Sequence, residues 1–196
     1  MDDNIYKAPE ANLVSSNDEA NAQFYIVSIK KFTILFFATV GMYPIYWFYK
    51  NWKLQKERHD LSIWPVARGI FSIFYAHTLF NKIDSVLQQK QKVFEWSAGA
   101  VATSYVVLTV VSTLMSQLAS KEIGSPYTDI LSIAALPVLY VILLKAQKAI
   151  NLSQNDPEGE ANNQLTGANI VWIFIGLLLW ALIILGLLIV LNMVVM

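Results

Sequence analysis

Two ionisable side chains, Arg68 and His77, lie inside an otherwise apolar stretch, residues 63–80. Charged groups are costly in a membrane, so such residues are candidates for lining a polar cavity. They are nine positions apart, which places them about 180° apart around one helix. A cavity lined by both would therefore need neighbouring helices. Alternatively, Arg68 reaches the lipid headgroups from the start of the segment, and His77 lies close to its end.

A dense group of aromatic and basic side chains precedes them, in the sequence VGMYPIYWFYKNWK at residues 40–53. Trp and Tyr favour the headgroup level of a membrane, where the ring is half apolar and the polar atom stays hydrated. Lysines at that level extend toward water and attract acidic lipid. The pattern predicts either an aromatic belt at a membrane surface or a specific site for a lipid or a partner helix. The candidate binding residues are Tyr46, Trp47, Tyr49, Lys50, Trp52 and Lys53.

The same stretch contains a break in its helical pattern at Gly41 and Pro44. Proline removes a backbone donor and clashes with the preceding helical turn. One interpretation is a kink in a spanning helix. The other is the tip of a re-entrant hairpin, because residues 32–40 before the break reach only about half the bilayer thickness.

The composition excludes several kinds of chemistry. The 196 residues are 56% hydrophobic and 14% charged, with no net charge and no cysteine, whereas soluble domains have about 25% charged residues. Nothing therefore suggests a nucleic-acid partner, a disulfide or a thiolate metal site. No catalytic motif occurs, and His59 and His77 are the only histidines. We predict a non-enzymatic protein without catalytic residues, metal ions or cofactors.

Later apolar segments carry a few polar residues. One segment has a stripe of small hydroxyl side chains, which let membrane helices pack closely. We predict helix packing as the role of this stripe, which comprises Ser97, Ser104, Thr109, Ser112 and Ser116. Asp129 follows Ser125 and Pro126, and we predict that it caps the helix that starts there.

Five apolar segments must position these residues. They cover residues 32–49, 63–80, 96–119, 127–144 and 168–196. Crossing about 30 Å of hydrocarbon requires about 20 helical residues, a length that the third and fifth segments exceed and the others approach. Backbone groups in lipid must bond internally, and no segment alternates as a barrel strand would. We predict an all-α polytopic membrane protein with about five apolar helices, of which the first two are spanning, re-entrant or interfacial.

Three regions follow from this pattern. Residues 1–31 form a polar tail, predicted to be disordered to about residue 22, with a short lead-in to the first apolar segment. Residues 32–95 form an aromatic-basic helical pair, and residues 96–196 form a bundle of three spanning helices. The first, second and fourth segments run directly into Lys/Gln/Asn-rich sequence. This predicts helices that continue beyond the bilayer on the cytoplasmic side.

The lysines and arginines of the connections constrain the topology, because positive residues near span ends favour the cytoplasm. If all five segments span, 8 positive residues lie on one side and 5 on the other. If the first two segments are re-entrant or interfacial, the counts are 12 and 1, and if only the second is re-entrant they are 9 and 4. Charge thus favours a non-spanning second segment, whereas apolar runs of this length usually span. All three arrangements leave the last three segments spanning.

Two stretches resemble a family of small uncharacterised bacterial inner-membrane proteins. Residues 36–53, FFATVGMYPIYWFYKNWK, are similar to the Gly-x-Tyr-x-x-Tyr-Trp-x-Tyr-Lys pattern of a domain of unknown function, and residues 64–83 are similar to the segment that follows it. Residues 4–11, NIYKAPEA, resemble the openings of many small Gram-negative membrane proteins. The resemblance implies a multi-pass protein of the bacterial inner membrane, and it carries no activity and no site residues.

Two functions are consistent with these observations. The first is a non-enzymatic protein that binds membrane lipid, a membrane-protein partner or a second copy of itself through an aromatic-basic cytoplasmic face. The alternative is a small oligomeric transporter or channel whose polar cavity is lined by Arg68 and His77.

Overall fold

The computed structural model describes residues 22–195. Helices account for most of this range, and no strand occurs within it. The helices are α1 (Ile29–Ala38), α2 (Tyr43–His59), α3 (Pro65–Ile70), α4 (Ser72–Gln89), α5 (Ala98–Ala119), α6 (Tyr127–Ser153) and α7 (Gly167–Val195), with a 3₁₀ turn at Glu160–Asn162. The predicted all-α class is confirmed for these residues. The disorder predicted for the tail lies outside the described residues.

Three helices are long and apolar enough to cross a membrane, namely α5, α6 and the part of α7 that ends at Asn192. The predicted count of about five apolar helices is not confirmed, because each of the first two segments is divided between two helices. Residues 39–42 separate α1 from α2, and Phe71 separates α3 from α4. With 10 and 6 residues, α1 and α3 are too short to cross, since a crossing needs about 20. Hydropathy reports apolar length but does not report where a helix ends.

Local sequence explains several helix ends. Ser28 caps α1, with its hydroxyl oxygen accepting from the backbone N–H of Lys31 at 3.3 Å, an interaction that satisfies one free donor. Pro44 and Pro65 lie in the first turns of α2 and α3, where the missing N–H is no loss. Asp60 ends α2 in the left-handed conformation, at φ 46°, which Asp tolerates better than most residues.

The first half of the chain folds into two helical hairpins. Gln23 bonds to Gln55, and Phe32 contacts Trp47, so the chain ascends through α1 and descends through α2. The chain then returns along α2, because Gly69 of α3 lies against Ile45 and Tyr49. It reverses at Phe71, and α4 leads back to the end of α6, where Lys90 donates to the Ser153 carbonyl. We call α3 and α4 the second hairpin. Both hairpins pack on the polar continuations of other helices. As predicted, α2, α4 and α6 continue as helices through their Lys/Gln/Asn-rich stretches.

The buried core lies at one end of the molecule. We call this end the hairpin half: α1 to α4, the end of α6 from residue 143, the turn before α7, and the extended lead-in segment, residues 23–28. The opposite ends of α5, α6 and α7, beyond the hairpin turns, form the three-helix half. The largest fully buried side chains are all in the hairpin half and are Trp47, Trp52, Phe24, Phe32, Phe36, Phe48, Phe80, Leu35, Leu79, Ile83, Leu143 and Ile150. This core joins α1, α2 and α4 to α6, so it extends across the predicted boundary at residue 95.

Candidate functional site

The break at Gly41 and Pro44 is a reversal of the chain and not a kink. Thr39 joins the two helices, since its hydroxyl donates to the Leu35 carbonyl at 2.7 Å and accepts from the Tyr43 N–H at 2.9 Å. Gly41 has φ 74°, a left-handed value that glycine adopts without strain. The backbone N–H groups of residues 39–42 all donate to carbonyls within the first hairpin, as a turn placed in lipid requires.

The turn of the first hairpin packs against the middle of α7. The indole N–H of Trp180 donates to the Phe37 carbonyl at 2.7 Å, and this carbonyl also accepts from the Val40 N–H at 3.2 Å. Trp180 thus adds a bond from α7 to the end of α1. A Cβ atom at Gly176 would overlap the carbonyl oxygen of Ala38. Only glycine allows this close approach, so the contact between α1 and α7 depends on the residue type at position 176.

Two of the six candidate binding residues, Trp47 and Trp52, have no exposed surface. The Trp47 indole N–H donates to the side-chain carbonyl of Gln147 on α6. The guanidinium of Arg68 lies over the Trp52 ring, 4.2 Å from the ring centroid. Both rings therefore stabilise the core, and their substitution would report on folding and not on a surface contact.

The other four candidates, Tyr46, Tyr49, Lys50 and Lys53, keep exposed surface. Lys50 and Lys53 line a groove of about 290 Å³ between α2 and the lead-in segment. The Lys50 ammonium lies 5.4 Å from the ring centroid of Tyr25, within the range of a cation–π contact. The structure therefore separates the predicted cluster into two buried indoles and a surface with two lysines.

Charge in this groove is only partly neutralised. The Lys53 ammonium lies 3.7 Å from a carboxylate oxygen of Glu57, and both side chains are exposed, so the pair contributes little to stability. Lys31, which the topology count treats as a surface charge, is buried and does not line this groove. Its ammonium donates to the side-chain oxygen of Asn162 at 2.6 Å and to the carbonyl of Gln164 at 2.7 Å.

Side-chain amides hold the backbone of the lead-in segment, an arrangement that the sequence did not predict. Asn51 on α2 accepts from the Tyr25 N–H at 3.0 Å. On α6, Gln147 donates to the Tyr25 carbonyl at 3.2 Å. Asn151 accepts from the Val27 N–H at 3.4 Å and donates to the Val27 carbonyl at 2.9 Å. The segment thus satisfies buried backbone groups without a partner strand.

Two of these amides bond directly to each other, and Asn51 bonds to the backbone of its own helix. Gln147 donates to Asn151 at 2.7 Å, and the Asn51 amide donates to the Trp47 carbonyl at 2.9 Å. All three amide side chains are fully buried. We call these residues, with Gln55, the amide network. Pairs of amides four residues apart, 51 with 55 and 147 with 151, follow apolar segments in the sequence, and this spacing on one helix face was the available signal.

Arg68 and His77 contact different neighbours. Arg68 contacts two rings that meet edge to face, with its guanidinium 4.2 Å from the Trp52 centroid and 4.7 Å from the Tyr75 centroid. His77 is exposed, and its ring nitrogen lies 3.1 Å from the hydroxyl of Thr103 on α5. Neither residue lines the groove at Lys50. Neither lines a further cavity, of about 470 Å³, between α7 and the paired helices α5 and α6. The predicted polar cavity of an oligomeric transporter, lined by Arg68 and His77, stays a prediction.

Lys90, a further basic residue, lies at the C-terminal end of α4. The Lys90 ammonium donates to the Ser153 carbonyl at 2.6 Å. Burial lowers the pKa of Lys90, and the neighbouring charges of Arg58 and Lys92 lower it further. Within residues 22–195, no three His, Asp or Glu side chains are grouped as ligands for a metal ion.

Comparison with known proteins found no match among protein-family models, curated proteins or solved structures. The class of protein is therefore defined by the fold alone. An all-helical arrangement of residues 22–195, with three helices long and apolar enough to cross a membrane, indicates a helical membrane protein.

Proposed function

We propose that this chain is a non-enzymatic protein of the bacterial inner membrane that binds anionic lipid headgroups on its cytoplasmic side. The proposed site is the groove between α2 and the lead-in segment, with Lys50 and Lys53 as the charged groups. The observation that carries the proposal is the reversal of the chain at residues 39–42. Because of this reversal, an apolar segment that could have been a span forms a hairpin. The hairpin extends only about half as far as the segment would if it were one straight helix.

Helix geometry supports a headgroup position for the two lysines. Lys50 and Lys53 follow Tyr43, the first residue of α2, by about 10 and 15 Å at 1.5 Å per residue. The turn itself contacts Gly176, which is about 14 Å along α7 from its start at Gly167. Because the hydrocarbon core is about 30 Å thick, a turn at its centre leaves these lysines at its edge.

The second hairpin supports the same arrangement. Residues at its turn expose large apolar side chains, with exposed fractions of 58% for Ile70, 55% for Phe71 and 72% for Phe74. A surface of this kind favours contact with lipid. Two re-entrant hairpins also give the most uneven distribution of positive residues, 12 against 1, in accordance with the positive-inside tendency.

The chemistry of the groove favours a phosphate-bearing headgroup. Lysine binds phosphate as a point charge, and tyrosines beside it suit the interfacial level. Tyr46 and Tyr49 precede Lys50 on α2 and keep exposed surface. A membrane-protein partner with an acidic surface is the alternative occupant, and the lipid measurement below distinguishes it.

Single-cysteine labelling tests the re-entrant topology, because the chain has no native cysteine. Glu57 and Ser120 are exposed positions at opposite ends of the molecule. In intact spheroplasts, a membrane-impermeant maleimide should label S120C and should label E57C only after permeabilisation. Gln88→Cys should behave like E57C. Labelling of E57C from outside would overturn the proposed topology.

Lipid retention tests the site itself. We expect the double variant K50Q/K53Q to bind phosphatidylglycerol about 10- to 30-fold more weakly, since each lysine near an anionic surface contributes about 1 kcal/mol. The matched control is K145Q/K148Q, which removes two exposed lysines from the continuation of α6. The measurement is native mass spectrometry of the full chain with added lipid. Equal losses in both variants, or none in K50Q/K53Q, would exclude this groove as a lipid site.

A further inference from the structure

A second cavity lies in the three-helix half, between α7 and the paired helices α5 and α6. Its volume is about 470 Å³. Ser116 and Gly186 are exposed along it, so it is a cleft open to the side of the bundle. The lining residues are Val40, Ser112, Ser116, Asp129, Ser132, Ile133, Leu136, Ile183, Gly186, Leu187 and Val190.

The cleft exists because the first hairpin ends halfway along the bundle. The turn of this hairpin packs on α7 at Gly176, and Val40 from the same turn lines the cleft. Beyond that point α5 and α6 continue together, while α7 continues without a hairpin beside it. A Cβ atom at Gly186 would meet no atom within 4 Å, so the space beside α7 is not filled by the described residues.

The polar groups of the cleft leave one acceptor unused. The Ser132 hydroxyl donates to the Asp129 carbonyl at 2.8 Å, and the Ser112 hydroxyl donates to the Ser132 carbonyl at 3.5 Å. The carboxylate oxygen Oδ2 of Asp129 is buried and has no hydrogen-bond partner among the described residues. Asp129 was predicted to cap α6, but the N-terminus of α6 has no side-chain cap. A buried carboxylate oxygen without a donor is costly, and a cation or an N–H donor would relieve that cost.

Polarity changes along the length of the cleft. Asp129 lies near the first residue of α6, and Leu136 lies about 10 Å further along the helix axis. On the facing wall, α7 contributes only apolar residues and Gly186. The cleft therefore has a negative, hydroxyl-lined end and an apolar end, the shape and chemistry of a site for an amphiphile with a cationic head.

We propose that this cleft binds one membrane lipid with a primary ammonium headgroup. The lipid belongs to the leaflet on the Asp129 side, opposite the leaflet that the hairpins enter. The ammonium donates to Asp129 Oδ2, and an acyl chain lies between α6 and α7 toward Leu136 and Val40. Charge complementarity selects the headgroup, because the cleft has a carboxylate and no lysine or arginine lining it. A primary ammonium brings three N–H donors, whereas a trimethylammonium head brings none.

Native mass spectrometry of the purified full chain tests this inference with lipids of identical acyl chains. We expect phosphatidylethanolamine to be retained about tenfold better than phosphatidylcholine or phosphatidylglycerol, as a charge-assisted hydrogen bond allows. Asp129→Asn should abolish the preference, and Glu122→Gln, which alters an exposed carboxylate at the same end of the molecule, should leave it intact. Gly186→Leu should lower retention of phosphatidylethanolamine by filling the cleft while leaving Asp129 in place.

Other outcomes would overturn the inference. Equal retention of the three lipids, or an unchanged preference in Asp129→Asn, would exclude a headgroup site. Disulfide formation between two copies of Leu187→Cys would identify the cleft as an interface between copies of the chain. The result is independent of the groove at Lys50, because K50Q/K53Q should leave the phosphatidylethanolamine preference unchanged.

Discussion

The hairpin half and the three-helix half are stabilised by different interactions. In the hairpin half, buried rings surround an amide network that bonds the lead-in segment to α2 and α6. In the three long apolar helices, by contrast, few residues of the most apolar 18-residue stretch are buried, 6% in α7 and 17% in each of α5 and α6. The first region is specified by its own side chains. The packing of the three-helix half depends on the lipid or protein around it.

This difference has a physical reason. Backbone and amide groups in a dry interior must be satisfied from within, so a buried polar network allows few alternative arrangements. Apolar helices in lipid gain little from contact with each other, because lipid tails are equally apolar. Close helix contact then depends on small residues such as Gly176, and a cleft such as that at Asp129 is tolerated. Substitutions at matched positions in the two halves test this contrast.

The largest effect is expected from the amide network. Asn151→Leu removes the partners of both the N–H and the carbonyl of Val27, and unsatisfied buried groups cost about 1–3 kcal/mol each. We expect a loss of about 2–4 kcal/mol in the free energy of unfolding, measured in detergent by denaturant titration with circular dichroism. Asn192→Leu makes the same change at an exposed site in the three-helix half and should cost nothing. A similar cost for both would invalidate the contrast.

The next largest effect is expected at the close contact between Gly176 on α7 and the Ala38 carbonyl. Gly176→Ala introduces a Cβ atom against the carbonyl of Ala38, and overpacking of this kind costs about 1–3 kcal/mol. We expect a loss near the middle of that range in the same titration. Gly186→Ala, ten residues further along α7 in open space, is the control and should be neutral. If Gly176→Ala is also neutral, α7 is not fixed by its contact with α1.

A smaller effect is expected for the indole of Trp47. Trp47→Phe keeps an aromatic ring but removes the N–H that donates to Gln147, for an expected cost of about 1–2 kcal/mol. Trp172→Phe, at an exposed position on α7, should change the free energy of unfolding by less than the error of the titration. A large effect at Trp172 would show that α7 relies on specific ring contacts.

The smallest effect is a pH dependence of the free energy of unfolding that comes from Lys90. The pKa of Lys90 is lower in the folded protein than its ordinary value of 10.5, through burial and the charges of Arg58 and Lys92. The unfolded chain therefore binds more protons between the two pKa values, so stability should rise slightly as pH increases through that interval. Lys90→Gln should remove this rise. Its persistence in the variant would assign the pH dependence to another group.

Much of the fold follows from local pattern. Both ends of α5 and the start of α6 agree with the apolar segments to within a few residues, and the polar continuations of α2, α4 and α6 are helical. The candidate site was predictable only in part. Lys50 and Lys53 are at the surface, but Trp47 and Trp52 are inside, because aromatic residues suit a core as well as a membrane interface.

The sequence by itself determined the class of protein, since apolar length, low charge and absence of cysteine need no tertiary information. It also marked Gly41 and Pro44 as a break. Only the tertiary structure decided that the break is a hairpin turn, because that depends on where Gly176 and Trp180 meet the end of α1. The long-range bonds of the amide network and the contact of Ser112 on α5 with Ser132 on α6 were likewise decided there. Such contacts join residues far apart in the chain, and no local period encodes them.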